Sequence, residues 1–142
     1  MAKRVLTRHT IIPPVSFEIS TTTGGPNDVK PLDFSLPDDF VGNIARSRPV
    51  LTYLISPRSD DVVLGIWINP QDPNLVQSEE VSRWIWPKGP RHAQALSSTP
   101  SVGRARYRGG KNDLFFKVWK GRVRVQSVVL WYQRRITVPP QG

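Results

Sequence analysis

Val50-Leu51-Thr52-Tyr53-Leu54-Ile55 and Val62-Val63-Leu64-Gly65-Ile66-Trp67-Ile68-Asn69 are two apolar runs set about Ser56-Pro57-Arg58-Ser59-Asp60-Asp61. In the second run Val62, Leu64, Ile66 and Ile68 recur on alternate residues, with Val63, Gly65, Trp67 and Asn69 between them. A period of two places each set on its own face of an extended chain, so this stretch reads as strand and not helix. The intervening segment is a strong turn signal, and the two runs are expected to form a hairpin-like pair.

The same reading extends in both directions. Val15–Ser20 alternates Val15, Phe17 and Ile19 against Ser16, Glu18 and Ser20, and Thr21–Asn27 is a loop. Leu36–Phe40 has the composition of one helical turn, and Pro73–Ser82 is the one longer helical candidate. Downstream, Arg83–Trp86, Arg91–Leu96, Val102–Arg108, Asp113–Trp119 and Val123–Tyr132 read as strands between turns marked by Pro87, Gly89, Pro90, Pro100, Gly109, Gly110 and Gly121. The chain has 14 prolines in 142 residues, spread between apolar runs as expected where turns separate strands. The expected fold is all-β: a single antiparallel β-sandwich of jelly-roll type with about eight strands. Val50–Ile55, Val62–Ile68, Leu114–Val118 and Val123–Tyr132 are expected at its centre. Residues 1–142 form one domain in this reading, with 1–14 and 136–142 as extended tails. Val123–Tyr132 is apolar on both faces, more than a two-layer sandwich needs.

Gly109-Gly110-Lys111-Asn112-Asp113-Leu114-Phe115-Phe116-Lys117-Val118, and after Gly121 the run Val123–Tyr132, resemble the closing strands of galactose-binding-like jelly rolls, a fold that includes many carbohydrate-binding modules. Leu51–Ile55 and Leu64–Asn69 are similar to that fold's central strands. The resemblance covers about half of the chain and implies a sandwich and a sugar-binding role. Many such domains carry a structural calcium. No calcium-ligand motif is matched here, since Asp60, Asp61 and Asp72 are separate loop acids, and no metal or cofactor is expected.

Charge is segregated. Residues 1–80 carry seven Lys/Arg against ten Asp/Glu, and residues 81–142 carry thirteen against Asp113 alone. The overall +9 therefore arises in the C-terminal part. Arg104, Arg106 and Arg108, and Arg122 and Arg124, recur on alternate residues, so each set is expected to project as a row of guanidinium groups suited to a polyanion. Nucleic acid, an acidic glycan, an acidic protein surface, or the acidic half of the same chain would each satisfy such rows.

Catalysis finds little support. There is no cysteine. His9 and His92 lie far apart in sequence, and no nucleophile elbow, zinc-protease, phosphate-loop or dinucleotide motif is present. No stretch approaches the ~18 apolar residues of a membrane span, and Met1–His9 is not followed by the apolar core of a secretory signal. A soluble chain is the expectation. Aromatic residues suggest binding instead. Trp84 and Trp86 share a face of one strand, with Arg91 and His92 close behind, and Trp67 shares a face with Asn69. An indole stacks on a sugar ring, and Arg, His or Asn hydrogen-bonds its hydroxyls. The sequence therefore points to a non-catalytic binder of glycans, acidic ones among them, at Trp84, Trp86, Arg91, His92, Trp67 and Asn69. Trp131, inside Val128–Tyr132 where both faces are apolar, is expected to be packed or at a subunit interface. The rivals are a homo-oligomeric or decorating subunit of a larger particle and a nucleic-acid or other polyanion binder.

Overall fold

In the computed structural model, residues 2–21, 28–41, 49–97 and 107–138 are described. The expected loop at 22–27 and residues 102–106 of the strand expected at Val102–Arg108 lie outside them. Among the described residues ten strands form: β1 (Ala2–Ile11), β2 (Ser16–Ser20), β3 (Val29–Leu36), β4 (Phe40–Val41), β5 (Val50–Pro57), β6 (Val62–Ile68), β7 (Ser82–Trp86), β8 (His92–Ser97), β9 (Gly110–Lys120) and β10 (Arg122–Val138). Where a helix was considered at Pro73–Ser82 there is a single 3-10 turn, Gln77–Glu79. No helix of the described residues is long and apolar enough to cross a membrane.

Two antiparallel sheets face each other. One runs β3-β9-β6-β7. The other runs β1-β10-β5-β8, with β2 and β4 also paired to β10. β2 takes Arg122–Gln126 of β10 and β1 takes Val129–Val138. These two strands therefore share one side of β10, and the chain breaks between them at Pro13-Pro14, which cannot donate to a ladder. Counting β1 with β2 and leaving aside the two-residue β4, the orders 2-10-5-8 and 3-9-6-7 are those of an eight-stranded jelly roll.

This topology corrects the expected hairpin. β5 and β6 lie in different sheets, so Arg58–Asp61 arches across the sandwich instead of closing a ladder. Both strands present an apolar set inward, and each sheet needs one such set to build the core. β9 and β10 are likewise split, with Gly121 at φ +89° making the crossing. Of the segments read as tails, Ala2–Ile11 and residues 136–138 belong to a ladder, because Ala2–Ile11 pairs with Val129–Val138; residues 139–142 lie outside the described ones.

The core forms where the alternating sets meet. Leu64, Ile66, Leu114, Phe116 and Val118 of one sheet are buried against Leu51, Ile55, Val123, Val125 and Leu130 of the other. Phe17 and Tyr53 meet Phe116 edge-on with ring centroids 5.5 Å away. The doubly apolar character of Val123–Tyr132 has a geometric origin. Pairing of β10 with β5 shifts between Gln126 and Val129, and Ser127 stands at φ 53°. This bulge adds one residue and reverses the phase. Val123 and Val125 therefore share the inward face with Val128 and Leu130, all four essentially buried. Trp131 is left on the outward face, 42% exposed.

Candidate aromatic site at the sandwich edge

The register of β7 on β6 pairs Leu64 with Trp84 and Val62 with Trp86. Leu64 and Val62 point into the core, so the two indoles project from the same face of their sheet. β7 is that sheet's edge strand, however, and β8 is the edge of the other. The segment Pro87–Arg91 carries the chain from one edge to the other. Pairing of Ile55 with His92 turns the imidazole inward from the opposite side. Trp86 and His92 therefore meet across the open side of the sandwich, with ring centroids 5.0 Å apart and planes inclined by 33°. Trp84 follows Trp86 at 6.1 Å and 39°. Trp86 is half-buried against the core, while Trp84 is 57% exposed. Arg91 and Lys88, in the crossing, are exposed. The result is an aromatic step of three rings: one anchored, one open to solvent, one able to donate or accept hydrogen bonds, with two cations close in sequence.

The step is braced from behind by residues that sequence reasoning missed. Arg83, at an outward position of β7 opposite Gly65, donates from Nε to Glu80 Oε1 at 2.7 Å and lies over the Trp119 ring at 4.5 Å. Glu80 is only 6% exposed, and its Oε2 accepts from Trp119 Nε1 at 2.9 Å. Lys117 also lies over that ring, Nζ 4.2 Å from its centroid. Gly65 makes room for the cluster: a Cβ there would collide with the Glu80 carboxylate. A buried carboxylate that collects an indole N–H and a guanidinium fixes the entry to β7. The available sequence signal was Glu80 three residues before Arg83, directly preceding the tryptophan pair.

Trp67 and Asn69 do not join the step. Trp67 is completely buried on the outward face of its sheet, its Nε1 donating to Val76 O at 2.9 Å, and it offers no surface to a ligand. Asn69, at φ 47°, accepts the Asp113 backbone N–H at 2.7 Å and donates to Asn112 Oδ1. The Asn112 amide group in turn donates to the carbonyls of Arg108 and Gly110, and its Oδ1 also accepts the Arg108 backbone N–H. Both asparagines clasp the start of β9.

The arginine rows also separate. Arg104 and Arg106 lie outside the described residues. Arg108 sits before β9, its Nε donating to Lys111 O at 3.0 Å. Arg122 and Arg124 follow the far end of that strand, about 30 Å away at ~3.3 Å per residue. Arg122 pairs with Glu18 at 3.2 Å, and Arg124 donates to Ser16 Oγ at 3.3 Å. Arg134 holds Asp39 by two bonds, 2.9 and 3.0 Å. The Arg134 hydrogen bond holds the Asp39 carboxyl below its ordinary pKa. Asp61–Lys120 and Glu80–Arg83 likewise join an acid of residues 1–80 to a base of residues 81–142. Among the described residues, no three His, Asp or Glu side chains group as a metal site would require. No protein-family model and no curated protein sequence matches the chain.

Proposed function

We propose that the chain is a non-catalytic carbohydrate-binding module whose contact surface is Trp84, Trp86 and His92, with Arg91 beside them. The observation that carries this reading is the exposure of Trp84, a large apolar ring left open on an edge strand that is otherwise braced. Free display of an indole costs burial worth on the order of 1.5–3 kcal/mol, which a purely structural tryptophan would recover in the core. A sugar ring laid on Trp84 replaces that lost contact, and His92 and Arg91 supply polar partners for hydroxyl groups. Acidic sugars suit the site further, since residues 81–112 contain no Asp or Glu. The sequence resemblance to galactose-binding-like jelly rolls points the same way. A glycan array of neutral and acidic oligosaccharides tests the proposal, and signal on a restricted set of sugars is expected. Silence across the array, together with a defined high-mass species in light scattering, would assign the chain to a larger assembly instead.

A further inference from the structure

The two sheets treat their outward faces differently. On the four-stranded sheet, Trp67 and Gly65 are sealed by the segment that carries Leu75 and Glu80. On the six-stranded sheet, Ile11 is 65% and Trp131 is 42% exposed, and they stand on adjacent strands where Ile11 pairs with Val129 and His9 with Trp131. Trp131 is not loose. Its Nε1 donates to Thr52 Oγ1 at 2.8 Å, so the indole reaches across the sheet from β10 to β5, and the His9 ring stands 5.1 Å away. With its N–H already used, what the indole offers is ring surface. Beside it lies a hollow of about 430 Å³ floored by Thr52, Leu54, Ala93, Ala95, Ser127 and Val129, a small and largely aliphatic set.

We infer that this outward face binds an anionic sugar chain, at a site separate from the aromatic edge and independent of that reading. Charge selects the occupant. Among the described side chains at outward register positions of β1, β2, β5, β8 and β10, the formal charges are Arg122, Arg124 and Arg135 against Glu18. A second copy laid face to face would set this net positive surface against itself. A polynucleotide carries one charge on every nucleotide. Between Arg124 and Arg135, however, the outward positions of β10 are Gln126, Ser127, Val129, Trp131 and Gln133, all uncharged. An apolar floor with a fixed ring and cations only toward its ends suits a chain that presents CH-rich ring faces and carries its acid groups sparsely.

The sign of one added charge tests this. Ala95 is exposed at the edge of the hollow, so Ala95→Glu and Ala95→Lys alter the face without touching the core. The intact chain is titrated with a hyaluronan hexasaccharide, which carries a carboxylate on every second sugar, and, in parallel, with a neutral chitin oligosaccharide of equal length; equal affinity for the two would overturn the need for an anion. In a Trp84→Ala background, which takes the aromatic edge out of the titration, Ala95→Glu and Trp131→Ala should each weaken binding at least tenfold, whereas Ala95→Lys should bind no more weakly than that background. If Trp131→Ala proves unfolded by thermal melt, the Ala95 pair decides alone. Unchanged affinity in Ala95→Glu overturns the inference, as does full retention of binding in a folded Trp131→Ala variant. So does a dimer in light scattering that both Ala95 variants dissolve, which would mean that a second copy covers the face. Tighter binding of an oligodeoxythymidine than of either sugar would assign the face to nucleic acid and overturn it equally.

Discussion

Tyr53 shows how one inward position ties packing to pH. It is 4% exposed, its ring meets Phe116, and burial pushes its phenol up to about 12. The neutral form is therefore favoured in the folded chain. Its contribution is fully present below pH ~10, the unfolded value, and is lost as pH rises through about 12. The difference is on the order of 2–3 kcal/mol. Urea unfolding at pH 9 and near pH 12 should find the parent losing that much relative to Tyr53→Phe. An unchanged gap between the two proteins would show that the phenol does not resist ionisation. At this scale the sequence was partly legible. Spacing placed Trp84 and Trp86 on one face, and the register agrees. It could not separate Trp84 from Trp67, because alternation assigns a face and says nothing of what covers it. The segment around Leu75 and Val76 seals Trp67, whereas β7 lies at an edge.

The bulge in β10 is the element that aligns the two halves of the longest strand. Ser127 adopts a left-handed conformation that a β-branched side chain tolerates poorly. Ser127→Gly should be neutral or stabilising by up to ~1 kcal/mol, and Ser127→Val should cost about 1–3 kcal/mol. Thermal or urea unfolding reads both. Equal stability of the two variants would mean that the bulge relaxes without needing that conformation. Strand identity itself was legible, since Val62–Ile68 and Leu114–Val118 alternate as amphipathic or doubly buried strands must. The partner of each strand was not. A turn such as Ser56–Asp61 suits a hairpin and an arch equally, and the choice depends on which apolar faces must oppose each other across the core. The bulge was hidden for a related reason: one inserted residue makes inward positions on either side of it look like two faces.

At the scale of the molecule, the segregated charge of the sequence becomes contact between its halves. Glu18, Asp39, Asp61 and Glu80 reach Arg122, Arg134, Lys120 and Arg83, and of these bases Arg122 belongs to the rows that the sequence offered to a polyanion. Alternation predicted two rows of arginines: Arg122 and Arg124 share the outward face of β10, and the fold sets Arg108 at the opposite end of β9 from them. Exposed ring surface lies at the β7–β8 edge and on the outward face of the six-stranded sheet, with Arg91 close to the first and Arg124 and Arg135 toward the ends of the second. The central claim is that the edge binds sugar, and calorimetric titration with the oligosaccharide that gives the strongest array signal tests it most directly. Trp84→Ala should keep the parent's melting temperature to within a few degrees, because more than half of that residue is already exposed. It should lose roughly tenfold or more in affinity, the equivalent of ~1.4 kcal/mol of stacking. A folded Trp84→Ala protein that binds the same sugar as tightly as the parent would contradict the account.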